Sequence, residues 1–76
     1  MDLGFAIRLV GYDARNARDA ACLTDAEAVE LVRADPGRGD VDDLWGCGYM
    51  GDETAEAYRT VLAASVDELG QALAAL

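Results

Sequence analysis

Among its 76 residues the chain has no lysine and no histidine, one serine, one proline and two cysteines. Without histidine or lysine the commonest general bases and amine nucleophiles are missing. The lone serine, Ser65, falls on an apolar helical stripe. Paired carboxylates can serve as acid and base when their surroundings separate their pKa values, but the carboxylates of this chain read as exposed. The chain is therefore expected to be non-enzymatic and to need no cofactor. Cys22 and Cys47 permit at most one disulfide. Asp2 stands where a secretory signal carries basic residues, and Arg8 interrupts the apolar stretch 3–10, so the expected compartment is a reducing cytoplasm. No apolar run approaches the roughly 18 residues of a membrane span. Cys22 is expected to pack as a small apolar group. Cys47, between two glycines, is expected at the surface with no cation beside it to activate the thiol.

What the chain does have is acid: 15 Asp and Glu against 6 Arg, a net charge of −9. Residues 1–38 hold seven acids and five arginines, whereas residues 39–76 hold eight acids and one arginine. Asp40, Asp42, Asp43, Asp52, Glu53 and Glu56 lie between positions 39 and 58 with no cation among them. Such a surface repels nucleic acid and anionic lipid over a Debye length of about 8–10 Å, and its natural partner is basic. Solubility or salt adaptation produces the same acidity.

The length fits one domain, 1–76, which buries only about 60% of the surface its unfolded chain exposes. Leu3, Phe5, Ile7 and Leu9 alternate with Asp2, Gly4, Ala6 and Arg8, the period of a half-buried strand over 3–12. Thr24 and Glu27 form a capping box, followed by apolar Ala28, Val29, Leu31 and Val32 up to Pro36, which predicts a helix over 25–34. The glycine-rich stretch 36–51 reads as a loop with one short strand over 44–50. From Asp52 on, Tyr58, Leu62, Ser65, Leu69, Leu73 and Leu76 recur at helical spacing and predict a long C-terminal helix with that face buried. Ser65 with Glu68 is a second capping signal and leaves a break near 65 open. The resulting expectation is an α+β fold, a small antiparallel sheet of two or three strands covered by two helices, the C-terminal one long.

Gly46-Cys47-Gly48-Tyr49-Met50-Gly51 matches the dinucleotide pattern G-x-G-x-x-G. No long apolar strand precedes it, and the following helix opens on Asp52 and Glu53, which repel a pyrophosphate. A tight turn, with sheet approaching helix closely, is the better account of these glycines. The clustered acids have the oxygen ligands of a calcium site but not the spacing of an EF-hand loop, so no metal site is assigned. Arg38-Gly39-Asp40 is an integrin-type tripeptide without a secretory context. Leu62, Leu69 and Leu76 repeat at seven over only two heptads. Core packing accounts for them, with a helix-mediated dimer as the alternative.

On a helix beginning at Asp52, Asp52 and Glu56 are i,i+4 neighbours and Glu53 and Glu56 are i,i+3 neighbours. Asp40, Asp42 and Asp43 extend the row. Duplex DNA presents one charge per about 1.7 Å of its axis, and fifteen carboxylates on so small a body approach that density. Trp45 and Tyr49 lie within the acidic segment and are candidate aromatic anchors, although burial of Trp45 against the sheet is the plainer reading. In size, acidity and lack of catalytic groups, over the whole chain, the sequence resembles the small phage-encoded anti-CRISPR proteins, several families of which are DNA mimics. The resemblance implies a non-enzymatic inhibitor that occupies the DNA-binding channel of a basic partner such as a CRISPR effector complex. Asp40, Asp42, Asp43, Trp45, Tyr49, Asp52, Glu53 and Glu56 would form the partner-binding face of a monomer. The alternative is a structural interaction module, dimeric in one version, that uses the apolar C-terminal helix.

Overall fold

A computed structural model of the chain describes residues 1–17, 21–34 and 41–76. They form helices α1 (Leu3–Ala17), α2 (Asp25–Ala34), α3 (Val41–Gly46), α4 (Asp52–Ala63) and α5 (Val66–Ala74), with no strand among the described residues. The expected α+β fold with an antiparallel sheet is thus overturned in favour of a helical bundle. In it α1 is the central element, packed chiefly by α4 and α2 and also by α5.

The region expected as a strand over 3–12 is helix because its inward set is Ala6, Ile7, Val10, Gly11 and Ala14, spaced by one, three, one and three. That is the 3.6-residue period. The alternation of larger side chains concealed it, and Phe5, which the strand pattern buried, is 48% exposed. Asp2 starts the helix: its carboxylate accepts the Phe5 amide at 3.0 Å, the usual role of aspartate at an N-cap.

Small residues face inward on α1 because its neighbours come close. At Gly11 an added Cβ would stand 2.6 Å from the Asp25 carboxylate. That carboxylate accepts Arg15 Nη1 at 2.8 Å, and the same nitrogen donates to the Leu23 carbonyl at 3.2 Å. Alanine gains about 1 kcal/mol over glycine in a helix interior, but displacing a charge-assisted hydrogen bond costs about 1.5–3 kcal/mol. Gly11→Ala is therefore expected to lower stability by about 1 kcal/mol. In an Asp25→Ala background the same change should raise it instead, a reversal of sign readable by urea denaturation.

Helix α2 begins where the capping box placed it: Glu27 N donates to Thr24 Oγ1 at 3.2 Å and Thr24 N donates to Glu27 Oε1 at 3.0 Å. The expected short strand over 44–50 is instead the end of α3 and a turn. Gly48 has φ +81°, the Tyr49 amide donates to the Leu44 carbonyl at 2.9 Å, and the Gly48 amide donates to that of Trp45 at 3.1 Å. This pair of bonds around a left-handed glycine is a Schellman stop. The middle glycine of the G-x-G-x-x-G match thus ends a helix, and the described residues hold no sheet for it to approach.

The expected long C-terminal helix is two helices. Ala64 and Ser65 are extended, and a complete capping box between Ser65 and Glu68 starts α5. Ser65 is exposed at this break, off the buried stripe on which the sequence put it. Leu76 is 43% exposed, while Tyr58 and Leu69 are buried as expected. The break also interrupts the heptad of Leu62, Leu69 and Leu76. The core is built from small side chains, the largest fully buried ones being Ile7, Val10, Val32 and Val61. At the rim of the α1–α4 interface, the Tyr58 hydroxyl donates to the Asp13 carboxylate at 2.7 Å.

Candidate functional site: an acidic face on α3 and α4

Helix α3 and the first half of α4 carry the acidic cluster. Asp42, Asp43, Asp52, Glu53 and Glu56 are all exposed, and α3 packs against α4, so the two stretches of acid lie on adjoining helices. Asp40 lies outside the described residues. Asp52 and Glu53 occupy the first turn of α4 and Asp42 and Asp43 that of α3, where the helix dipole favours negative charge.

Three contacts clip the two helices together. Trp45 Nε1 donates to Asp52 Oδ1 at 2.6 Å. Arg59 Nη2 pairs with Asp42 Oδ1 at 2.6 Å, and its Nε donates to the same oxygen at 3.2 Å. The Arg59 guanidinium also lies 5.5 Å from the centroid of the Trp45 ring, a cation–π distance. Trp45 is therefore not buried against a sheet: it stands 46% exposed at the α3–α4 seam, while Tyr49, in the turn after α3, is 84% exposed.

Sequence reading missed Arg59. It is the one arginine of residues 39–76 and stands one position beyond the stretch described as free of cations, three residues from Glu56. Its isolation among acids was the available signal. The N-terminal ammonium also approaches the Glu56 carboxylate, at 3.6 Å. Asp43 and Glu53 make no side-chain hydrogen bond or ion pair among the described residues. Exposed pairs of this kind are worth about 0.2–1 kcal/mol each. Five carboxylates facing one guanidinium and one ammonium thus leave the face strongly negative.

The chain matches no protein-family model, no curated protein and no solved structure.

Among the described residues, the acidic face included, no polar or charged side chain is buried, and no three His, Cys, Asp or Glu gather closely enough to hold a metal ion. Hydrogen bonding from the Thr24 amide, and secondarily from its side chain, holds the Glu27 carboxyl below the usual carboxylate range. The Ser65 amide and side chain do the same for Glu68. Both carboxyls serve as helix caps. Cys47 is exposed as expected. Cys22 is exposed too, contrary to its expected packing, because it lies in the turn before α2. No described helix is long and apolar enough to cross a membrane.

Proposed function

We propose that the chain is a non-enzymatic inhibitor that works in the cytoplasm as a monomer and mimics nucleic acid. Its α3–α4 face occupies the basic DNA-binding channel of a partner, for example a CRISPR effector complex. The observation that carries this reading is that Asp42, Asp43, Asp52, Glu53 and Glu56, all exposed, lie on two helices packed together. Exposed Trp45 and Tyr49 stand beside them. A channel that binds DNA does so with Lys and Arg and releases condensed counterions. A fixed array of carboxylates competes for the same cations and steers their approach. The aromatic side chains supply anchors of the kind that dominate interface energies.

Asp43 and Glu53 are the residues to change, because neither is tied to the rest of the fold among the described residues. A chain carrying Asp43→Lys and Glu53→Lys should fold as the parent does. Both proteins would serve as bait in lysates of candidate bacterial hosts, with elution by a salt gradient and by a short DNA duplex. The parent should retain one stoichiometric nucleic-acid-binding complex that duplex DNA displaces, and the double variant should not retain it. Equal retention by both baits, or a complex that DNA fails to displace, removes the mimic.

A further inference from the structure

Helices α2 and α5 leave between them an open groove of about 570 Å³. Ala26 and Val29 of α2 and Val66, Leu69, Gly70 and Leu73 of α5 line it. On α5 these positions follow the spacing i, i+3, i+4, i+7 of an apolar stripe. Leu69 at its centre is buried, yet Val66 on the same stripe is 74% exposed. The apolar face of α5 is therefore wider than the core covers. At Gly70 nothing lies within 4 Å of where a Cβ would stand, so the groove is open at its middle. With ten residues in α2 and nine in α5, its walls are about 13–15 Å long at 1.5 Å per residue, the length of nearly three turns of a docked helix.

Charge decides the occupant. Glu30 lines the groove, and Asp67, next to Val66 on α5, is exposed. The cation among the lining residues, Arg33, directs Nη1 to the carbonyls of Val61 and Ala64 at the end of α4. A second copy of this chain, itself at −9, would bring acid against acid. An extended polyelectrolyte would leave the apolar floor unfilled. We infer that the α2–α5 groove docks an amphipathic helix of a basic partner, with the apolar side chains of that helix entering over Gly70 and its flanking Lys and Arg facing Glu30 and Asp67. This is helix-in-groove recognition, at a surface separate from the α3–α4 face.

The probe is a synthetic helical peptide of about 18 residues, made only of Leu and Lys with Leu on one face. It is titrated into the isotope-labelled full chain and followed by backbone amide shifts. A scrambled peptide of the same composition and a Leu/Glu version are controls. The expected result is shifts confined to α2 and α5 with the amphipathic Leu/Lys peptide alone. Affinity should fall at least about tenfold in Gly70→Trp, whose indole fills the groove. That variant should be as stable as the parent or more so, because it removes a glycine from a helix interior. Glu30→Lys should weaken binding without changing the fold, while Asp43→Lys with Glu53→Lys should keep the α2 and α5 shifts, which separates this groove from the acidic face. Equal binding by the scrambled peptide, undiminished binding by Gly70→Trp, or shifts on α3 and α4 alone would overturn the inference. So would a concentration-dependent dimer whose interface is the groove, since it assigns the surface to a second copy.

Discussion

Ile7→Ala is expected to remove about 2–5 kcal/mol of stability, the range for truncating a buried aliphatic side chain. A chain of 76 residues has about 4–11 kcal/mol in all, at about 0.05–0.15 kcal/mol per residue. The substitution therefore removes a large share of the total. Ile7 is fully buried on α1, the helix on which the others pack, and it is the largest of the four fully buried large side chains; the other three are valines. Valine has little rotamer freedom and cannot reach into the space left behind, so the cavity term adds to the transfer term. Urea denaturation should show a midpoint well below that of the parent for Ile7→Ala, with Ile7→Val losing only about 0.5–1.5 kcal/mol. A loss under about 1 kcal/mol for the alanine variant would mean that α1 is not the centre of the core.

Arg33→Ala should have the next largest effect. Its Nη1 donates to the Val61 carbonyl at 3.0 Å and to the Ala64 carbonyl at 2.8 Å. The last carbonyls of a helix have no partner within it and carry the negative end of its dipole. One guanidinium from α2 thus satisfies the end of α4 just where the chain turns into α5. Hydrogen bonds from a charged donor are worth about 1.5–3 kcal/mol, and the variant should lose about 2–3 kcal/mol because both acceptors are part-buried. Arg33→Lys should recover only part of this, since its ammonium lacks the planar fork of the guanidinium. Hydrogen exchange resolves the claim: amides of the last turn of α4 and of α5 should exchange faster in Arg33→Ala than those of α1. A uniform change, or none, would show that the arginine does not cap α4.

The features legible in the sequence were those written in local chemistry. Thr24 with Glu27 marked the start of α2, and Ser65 with Glu68, which left a break open within the expected long helix, starts α5; both boxes are formed. The clustered acids near the start of α4 read as exposed, and they are. What failed was the strand over 3–12, because alternation among four large side chains was weighed over a window too short to show Ala6, Val10, Gly11 and Ala14 on a common helical face. Small residues carry little hydrophobic signal, yet here they are the contact surface. With that strand gone, no sheet is left among the described residues, and Trp45 lost the layer it was expected to pack on. Arg33 and Arg59 act across 28 and 17 positions of sequence, a distance at which spacing carries no information.

The central position of α1 also bears on how the chain is made. Its principal partner, α4, begins 35 residues after α1 ends, an interval of about 2–7 s at a synthesis rate of about 5–20 residues per second. During that interval Ile7, Val10 and Ala14 lack the cover that α4 gives to α1. The waiting face of α1 is alanine, glycine and valine around Ile7, and a nascent helix with a face this modest offers little for other unfolded chains to adhere to. The same economy of side-chain bulk that leaves the finished core thin keeps the unfinished one from sticking.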